Sequence, residues 1–165
     1  MARRVLLVYH DDDAARAALV QALPAVKAGR LVTAAEWNAL LGQGRTAVAQ
    51  WLSCQVRRRT CTLVLIGEKS LGDPWINRVI YESWEAWRGV LGIHVHALPD
   101  ARGRPSRKGS NPFAQFVMDR DPSLSMASVV KTYDPPQADG RKALAYVGKH
   151  LAAWVEEAIA ARLAY

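Results

Sequence analysis

Two short, unbroken apolar runs constrain this chain more than anything else in it: Val5-Leu6-Leu7-Val8-Tyr9 and Thr62-Leu63-Val64-Leu65-Ile66. A strand with one wet face alternates apolar and polar residues. A strand without that alternation is covered on both faces, as in a parallel sheet packed between helices. Val90 to His96 reads as a further strand, Ala127 to Tyr133 as the last, and a weak one is predicted near Leu31-Val32.

The intervening segments carry helix signals. Asp11, Asp12 and Asp13 can each cap a helix over Ala14 to Leu23, which Pro24 closes. Thr33-Ala34-Ala35-Glu36 has capping-box spacing, after which Trp37, Leu40 and Leu41 are expected to face inward. Gly42-Gln43-Gly44 interrupts the pattern. It resumes with Val48, Trp51, Leu52 and Val56 and ends in Arg57-Arg58-Arg59, favourable charges at a helix C-terminus. Asp73-Pro74 predicts a helix from about Trp75 to Trp87. Ala101 to Asn111 is a polar, exposed loop. From Asp139-Gly140 a last helix, expected to reach about 30 Å, repeats Leu144, Val147, Leu151, Trp154, Val155 and Ile159 at three and four residues.

With 165 residues, half of them apolar, the chain can bury a core, so one domain over residues 1–165 is expected and disorder is excluded as the main state. Two cysteines, Cys54 and Cys61, supply neither a disulfide framework nor a close metal pair, which suits a reducing cytosol. No apolar stretch reaches about 18 residues, and the first apolar run stops at three aspartates. A cytoplasmic protein with no membrane partner is expected. The net charge of +7 is scattered along the chain, so nucleic acid is not an expected partner.

Strands alternating with helices imply an α/β fold: a flavodoxin-like, doubly wound, five-stranded parallel sheet in three α/β/α layers. In the strand order 2-1-3-4-5, ligands bind where the order reverses. Those strand ends are Tyr9-His10-Asp11 and Gly67-Glu68-Lys69-Ser70. The fold places a pocket there without naming its chemistry.

Six ordered pieces carry a resemblance. They are Arg4-Val5 through His10; Trp37 on the second helix; Thr62 through Gly67; Trp75-Ile76-Asn77 through Ile80 and Ser83; Gly89 through His96; and Ser106 through Phe113. In this order they resemble the TIR-like proteins of the Thoeris anti-phage system over roughly residues 3 to 113. The resemblance implies a TIR-like domain that binds NAD and cleaves its nicotinamide-ribosyl bond, as an NAD nucleosidase or ADP-ribosyl cyclase. An ADP-ribose-derived messenger would then reach a downstream effector. NAD is the substrate in this reading, and no resident cofactor or metal is implied. Departure of nicotinamide develops positive charge on the ribose, so a nearby carboxylate is needed, while backbone amides hold the pyrophosphate.

In active TIR enzymes that carboxylate is a glutamate four residues after the tryptophan that opens its helix. Four residues after Trp75 stands Val79. Glu82, about 60° round the helix from Val79, is the candidate for a relocated carboxylate; the alternative is that Glu82 and Glu85 are solvated helix residues. The family pattern also tends to be acidic where Thr33 and Arg45 stand. His10 is a candidate nucleotide contact or proton shuttle, or else a backbone-bonded turn residue. Asp11 can orient a ribose hydroxyl or simply cap a helix, and Trp75 can stack on a base or seal the sheet. Gly67 and Glu68 are expected at the pocket's other rim.

Three readings stand beside one another. One is an NAD-cleaving defence enzyme, and another is a catalytically silent TIR module acting by homotypic assembly or nucleotide sensing. The third is a response-regulator-like module using Asp11 and Asp12 with a divalent cation. His94 and His96 share a strand face but have no third ligand nearby. The basic loop Arg102-Arg104-Arg107-Lys108 is read as solvated, and Trp84 and Trp87 as core or assembly surface.

Overall fold

The computed structural model describes residues 2–165. Its sheet contains β1 (Arg3–Val8), β2 (Val26–Ala28), β3 (Cys61–Ile66), β4 (Gly89–His94) and β5 (Thr132–Tyr133). All neighbouring strands are parallel, in the order β2-β1-β3-β4-β5. The helices are α1 (Ala14–Gln21), α2 (Ala34–Gly42), α3 (Arg45–Arg57), α4 (Pro74–Glu85) and α5 (Gly140–Ala164). This is the three-layer, flavodoxin-like arrangement expected from the apolar runs.

Period-two alternation divides each central strand between two cores. Val5, Leu7, Leu63, Leu65, Leu91 and Ile93 pack against α1 and α5. On the opposite face, Val64, Ile66 and Val90 meet Ile76 and Ile80 of α4, together with Phe113, Met118 and Met126. Leu6 and Val8 turn to that same face and meet Val48, Leu52 and Val56 of α3 and Val79 of α4. Every residue of β3 and β4 is buried, which is why neither run alternates.

Several expected boundaries are corrected. The second strand lies at Val26–Ala28, because Leu31-Val32 leaves the sheet. The last strand is only Thr132–Tyr133, and Met126–Ser128 is a 3-10 turn. α4 stops at Glu85, beyond which Trp87 takes a positive φ of 59°. β4 ends at His94, short of His96. α2 buries none of its residues fully: Trp37 and Leu40 pack against the α3/α4 cluster, whereas Leu41 is exposed. Its capping box is present, with Thr33 and Glu36 satisfying each other's amides. At 25 residues α5 is about 37 Å long, one to two turns more than expected. No helix among the described residues is long and apolar enough to cross a membrane.

Candidate functional site

The crevice between the ends of β1 and β3 is filled by the protein's own polar groups. Asp13 and Arg16 are both buried, with Nη1 of Arg16 2.9 Å from Oδ1 of Asp13. Arg16 also donates from Nε to the Leu98 carbonyl (2.8 Å) and from Nη2 to the Arg104 carbonyl (3.0 Å). The Asp13 carboxylate lies where a Cβ on Gly67 would sit, and Gly109 packs on the Gly67 carbonyl just as closely. Only glycine fits at either position. Burial pushes the Asp13 carboxyl above its ordinary range, and the Arg16 guanidinium offsets only part of that shift.

The open space lies beside this plug. A cavity of about 670 Å³ runs along β1 toward α2, α3 and α4. That volume is within the range of small-molecule sites. Its origin is the early end of β2. Pairing of β1 with β2 stops at Val5 opposite Ala28, whereas pairing with β3 continues to Val8. Beyond Val5 the outer edge of β1 therefore has no strand partner, and residues 29–32 form a wall instead. Leu7 lines the cavity although its side chain belongs to the core on the other face, so main chain is what it offers there.

Three tryptophans from three helices form the aromatic wall. Trp37 stands edge-on to Trp75, with centroids 5.6 Å apart, and is tilted against Trp51 at 6.1 Å. α4 is started by the Asp73 carboxylate, which accepts from the amides of Trp75 (2.9 Å) and Ile76 (3.2 Å), with Pro74 in the first turn. That cap fixes where Trp75 enters the cavity.

The lining carboxylates differ in how they are engaged. Asp73 is spent as a cap, and Glu36 is held by Thr33 and Arg30. The Arg30 guanidinium and the Thr33 amide hold the Glu36 carboxyl down at about 2. Asp11 has no ion-pair or side-chain hydrogen-bond partner among the described residues. Beside it, burial and the Asp11 charge raise the Tyr9 phenol above its ordinary value.

Of the residues singled out in the sequence, Asp11, Trp75 and Val79 line the cavity. Val79 is 2% exposed and sealed against Val48, Leu52 and Val56. His10, Gly67, Glu68 and Glu82 are outside its lining. Nδ1 of His10 accepts from the Asp12 amide (3.1 Å), so the histidine caps the Asp11–Asp13 turn. The expected aspartate cap of α1 is absent because Asp13 engages Arg16. Gly67 is buried beneath Asp13, and Glu68 is exposed on the following loop. Glu82 pairs with Arg78 at 2.7 Å along the outside of α4.

Sequence reasoning did not single out Trp37, Trp51 or Arg59 for the site. The tryptophans were visible as helix-face residues, but nothing local says that three helices converge. His94 is buried with its ring 6.0 Å from that of His96, and Asp134 is 4.0 Å from His96. Burial lowers the His94 pKa. Among the described residues, no group of three or more His, Cys, Asp or Glu side chains is placed to hold a metal ion.

No curated protein matches the chain. A family profile does: the one described as Thoeris protein ThsB, TIR-like domain, over residues 8–100. That stretch takes in the end of β1, β2 to β4, and all the helices that wall the cavity. With more than half of its length matched, on a sheet wound in the order 2-1-3-4-5, the chain belongs to the Thoeris ThsB TIR-like domain family.

Proposed function

We propose that this TIR-like domain serves anti-phage defence by binding an NAD-like nucleotide in the cavity beside β1. The observation that carries the reading is the cavity's composition: three converging tryptophans, an unpaired Asp11 and an uncovered strand edge around about 670 Å³. Tryptophan faces stack on a base or nicotinamide ring. A free carboxylate accepts from ribose hydroxyls, and open main-chain groups accept or donate to a planar polar edge. Affinity for NAD, ADP-ribose and AMP, read by calorimetry and tryptophan fluorescence, tests it. Absence of binding at millimolar concentration overturns it.

Two specific readings of activity follow. The Val79 side chain, buried among valines and a leucine at the position of the usual glutamate, favours a domain that binds nucleotide without cleaving it and signals through homotypic contacts. The unpaired Asp11 favours the second reading, cleavage of the nicotinamide-ribosyl bond to an ADP-ribose-derived messenger for an effector. In that case a carboxylate stabilises the ribosyl cation. Asp11 lines the cavity; Glu82 has to leave Arg78 and swing inward to serve. Chromatography of NAD incubated with native protein, Asp11→Asn and Glu82→Gln separates the readings. Nicotinamide release lost only in Asp11→Asn assigns cleavage to Asp11, and loss only in Glu82→Gln assigns it to Glu82. No release by native protein, alone or assembled, leaves the binding reading.

A further inference from the structure

Arg59 is a lining cation of the cavity with no carboxylate partner among the described residues. Arg30, the other arginine there, is neutralised by Glu36 at 2.9 Å. Arg59 follows the C-terminus of α3, where Nη1 donates to the Gln55 carbonyl (3.1 Å) and to the Gln55 side-chain oxygen. Its Nη2 lies so close over Gly29 that a Cβ there would collide with it, so the chain leaving β2 forms a floor beneath the guanidinium. Half-buried, and near the like charges of Arg58 and Arg4, the guanidinium has its pKa lowered. A cation held in one place by neutral acceptors, with repulsive neighbours and an open cavity before it, lacks a counter-charge. A guanidinium fork matches phosphate oxygens in both geometry and charge.

Gly29 follows Ala28, which pairs with Val5, so Arg59 marks the β2 end of the cavity and Asp11 the end beyond Tyr9. The uncovered strand between them, Leu6 to Tyr9, is roughly 10 Å long. The tryptophans line the helical side of the same space. The cavity is thus positive at one end, negative at the other and aromatic along one wall.

We propose that Arg59 is the phosphate anchor of this cavity, binding phosphoryl oxygens of a nucleotide whose ribose lies toward Asp11 and whose base meets the tryptophans. The assignment rests on the nucleotide reading above and adds a polarity to it. The ligand class is a nucleoside phosphate, preferred over the free nucleoside.

Calorimetric titration of native protein, Arg59→Gln and Arg59→Lys with adenosine, AMP, ADP and inorganic pyrophosphate tests it. Circular dichroism and Tm of each variant are recorded, because Arg59 also caps α3. Native protein is expected to bind AMP and ADP roughly tenfold or more tighter than adenosine, as a charge-assisted bond to phosphate requires. Pyrophosphate should compete, and added salt should weaken AMP more than adenosine. Arg59→Gln should bind all three alike, near the native adenosine affinity, with Arg59→Lys between. A native protein that binds adenosine and AMP equally overturns the anchor, as does an Arg59→Gln variant that keeps the AMP preference while losing only Tm; both leave the nucleotide reading standing. Native protein that binds none of the nucleosides or nucleotides overturns both. If Arg59→Gln does not fold, the native AMP-to-adenosine ratio, its salt dependence and the folded Arg59→Lys variant still decide.

Discussion

Val79 both lines the cavity and packs among the valines and leucine of α3. Its isopropyl group is part of the apolar seal between α3 and α4, so removing it and charging it have different consequences. Val79→Ala should cost about 2 kcal/mol from lost burial and an unfilled space. Val79→Glu should cost on the order of 3 kcal/mol, and its carboxyl should titrate above the usual range, because burial penalises the charged form. Thermal melts of the two variants, with NAD turnover of the second, check this; Val79→Glu with native Tm would mean that the carboxylate reaches water through the cavity. The plug at the β1/β3 crevice is the second residue-scale test. Replacing Arg16 by Met leaves Asp13 buried and alone, a loss of roughly 3–5 kcal/mol. Asp13 already titrates above its ordinary value in the fold, and the variant raises it further. A raised carboxyl pKa favours the folded state below the ordinary value near 3.8, and that advantage is lost as pH rises through the folded-state pKa. Arg16→Met should therefore lose more stability at pH 8 than at pH 5, which denaturant titrations at the two pH values would reveal.

At the scale of elements, the site depends on where two helices begin. The Asp73 cap sets the entry of α4 and hence of Trp75, so Asp73→Ala should cost about 1 kcal/mol, lower Tm by roughly 2–4 °C and weaken nucleotide binding with it. Capping in α2 has a pH signature. With Glu36 held at about 2, its contribution is fully present above the ordinary value of 4.5 and is lost as pH falls through about 2. Protection of the Thr33 and Glu36 backbone amides, taken relative to their intrinsic exchange rates, should fall over that window, and Glu36→Gln should flatten the response. Both start signals were legible in the sequence, since Thr-x-x-Glu and Asp-Pro are local chemistry. The weak strand misplaced at Leu31-Val32 was not. Three paired residues of β2 suffice to hold it beside β1, and whether a short apolar dipeptide pairs or walls a cavity depends on the neighbouring strand.

For the whole molecule, ligand that binds the folded state alone must stabilise it. AMP or NAD at a hundredfold excess over Kd should add about 2.7 kcal/mol, seen as a rise in Tm; at the same ligand concentrations Arg59→Gln should lose most of the extra rise that AMP gives over adenosine and keep the rise with adenosine. At the C-terminal end of α4, Trp84 and the 54% exposed Trp87 hold the Arg162 guanidinium at 4.2 and 3.9 Å, so α5 is tied to α4 through a cation against two indoles. That contact unites residues nearly eighty positions apart, which no local pattern announces. The class of fold was legible in the residues alone, because unbroken apolar runs need cover on both faces and helix caps are written in adjacent residues. Through the family resemblance the sequence also carries an isopropyl group, that of Val79, where a carboxylate is expected. Packing of distant segments is what fills the crevice at the strand reversal with Asp13 and Arg16, opens the cavity instead along the uncovered edge of β1, and brings three tryptophans and Arg59 together there. The reason is physical: covering a strand is a demand that each segment carries within itself, whereas an opening exists only where one segment ends before its neighbour does.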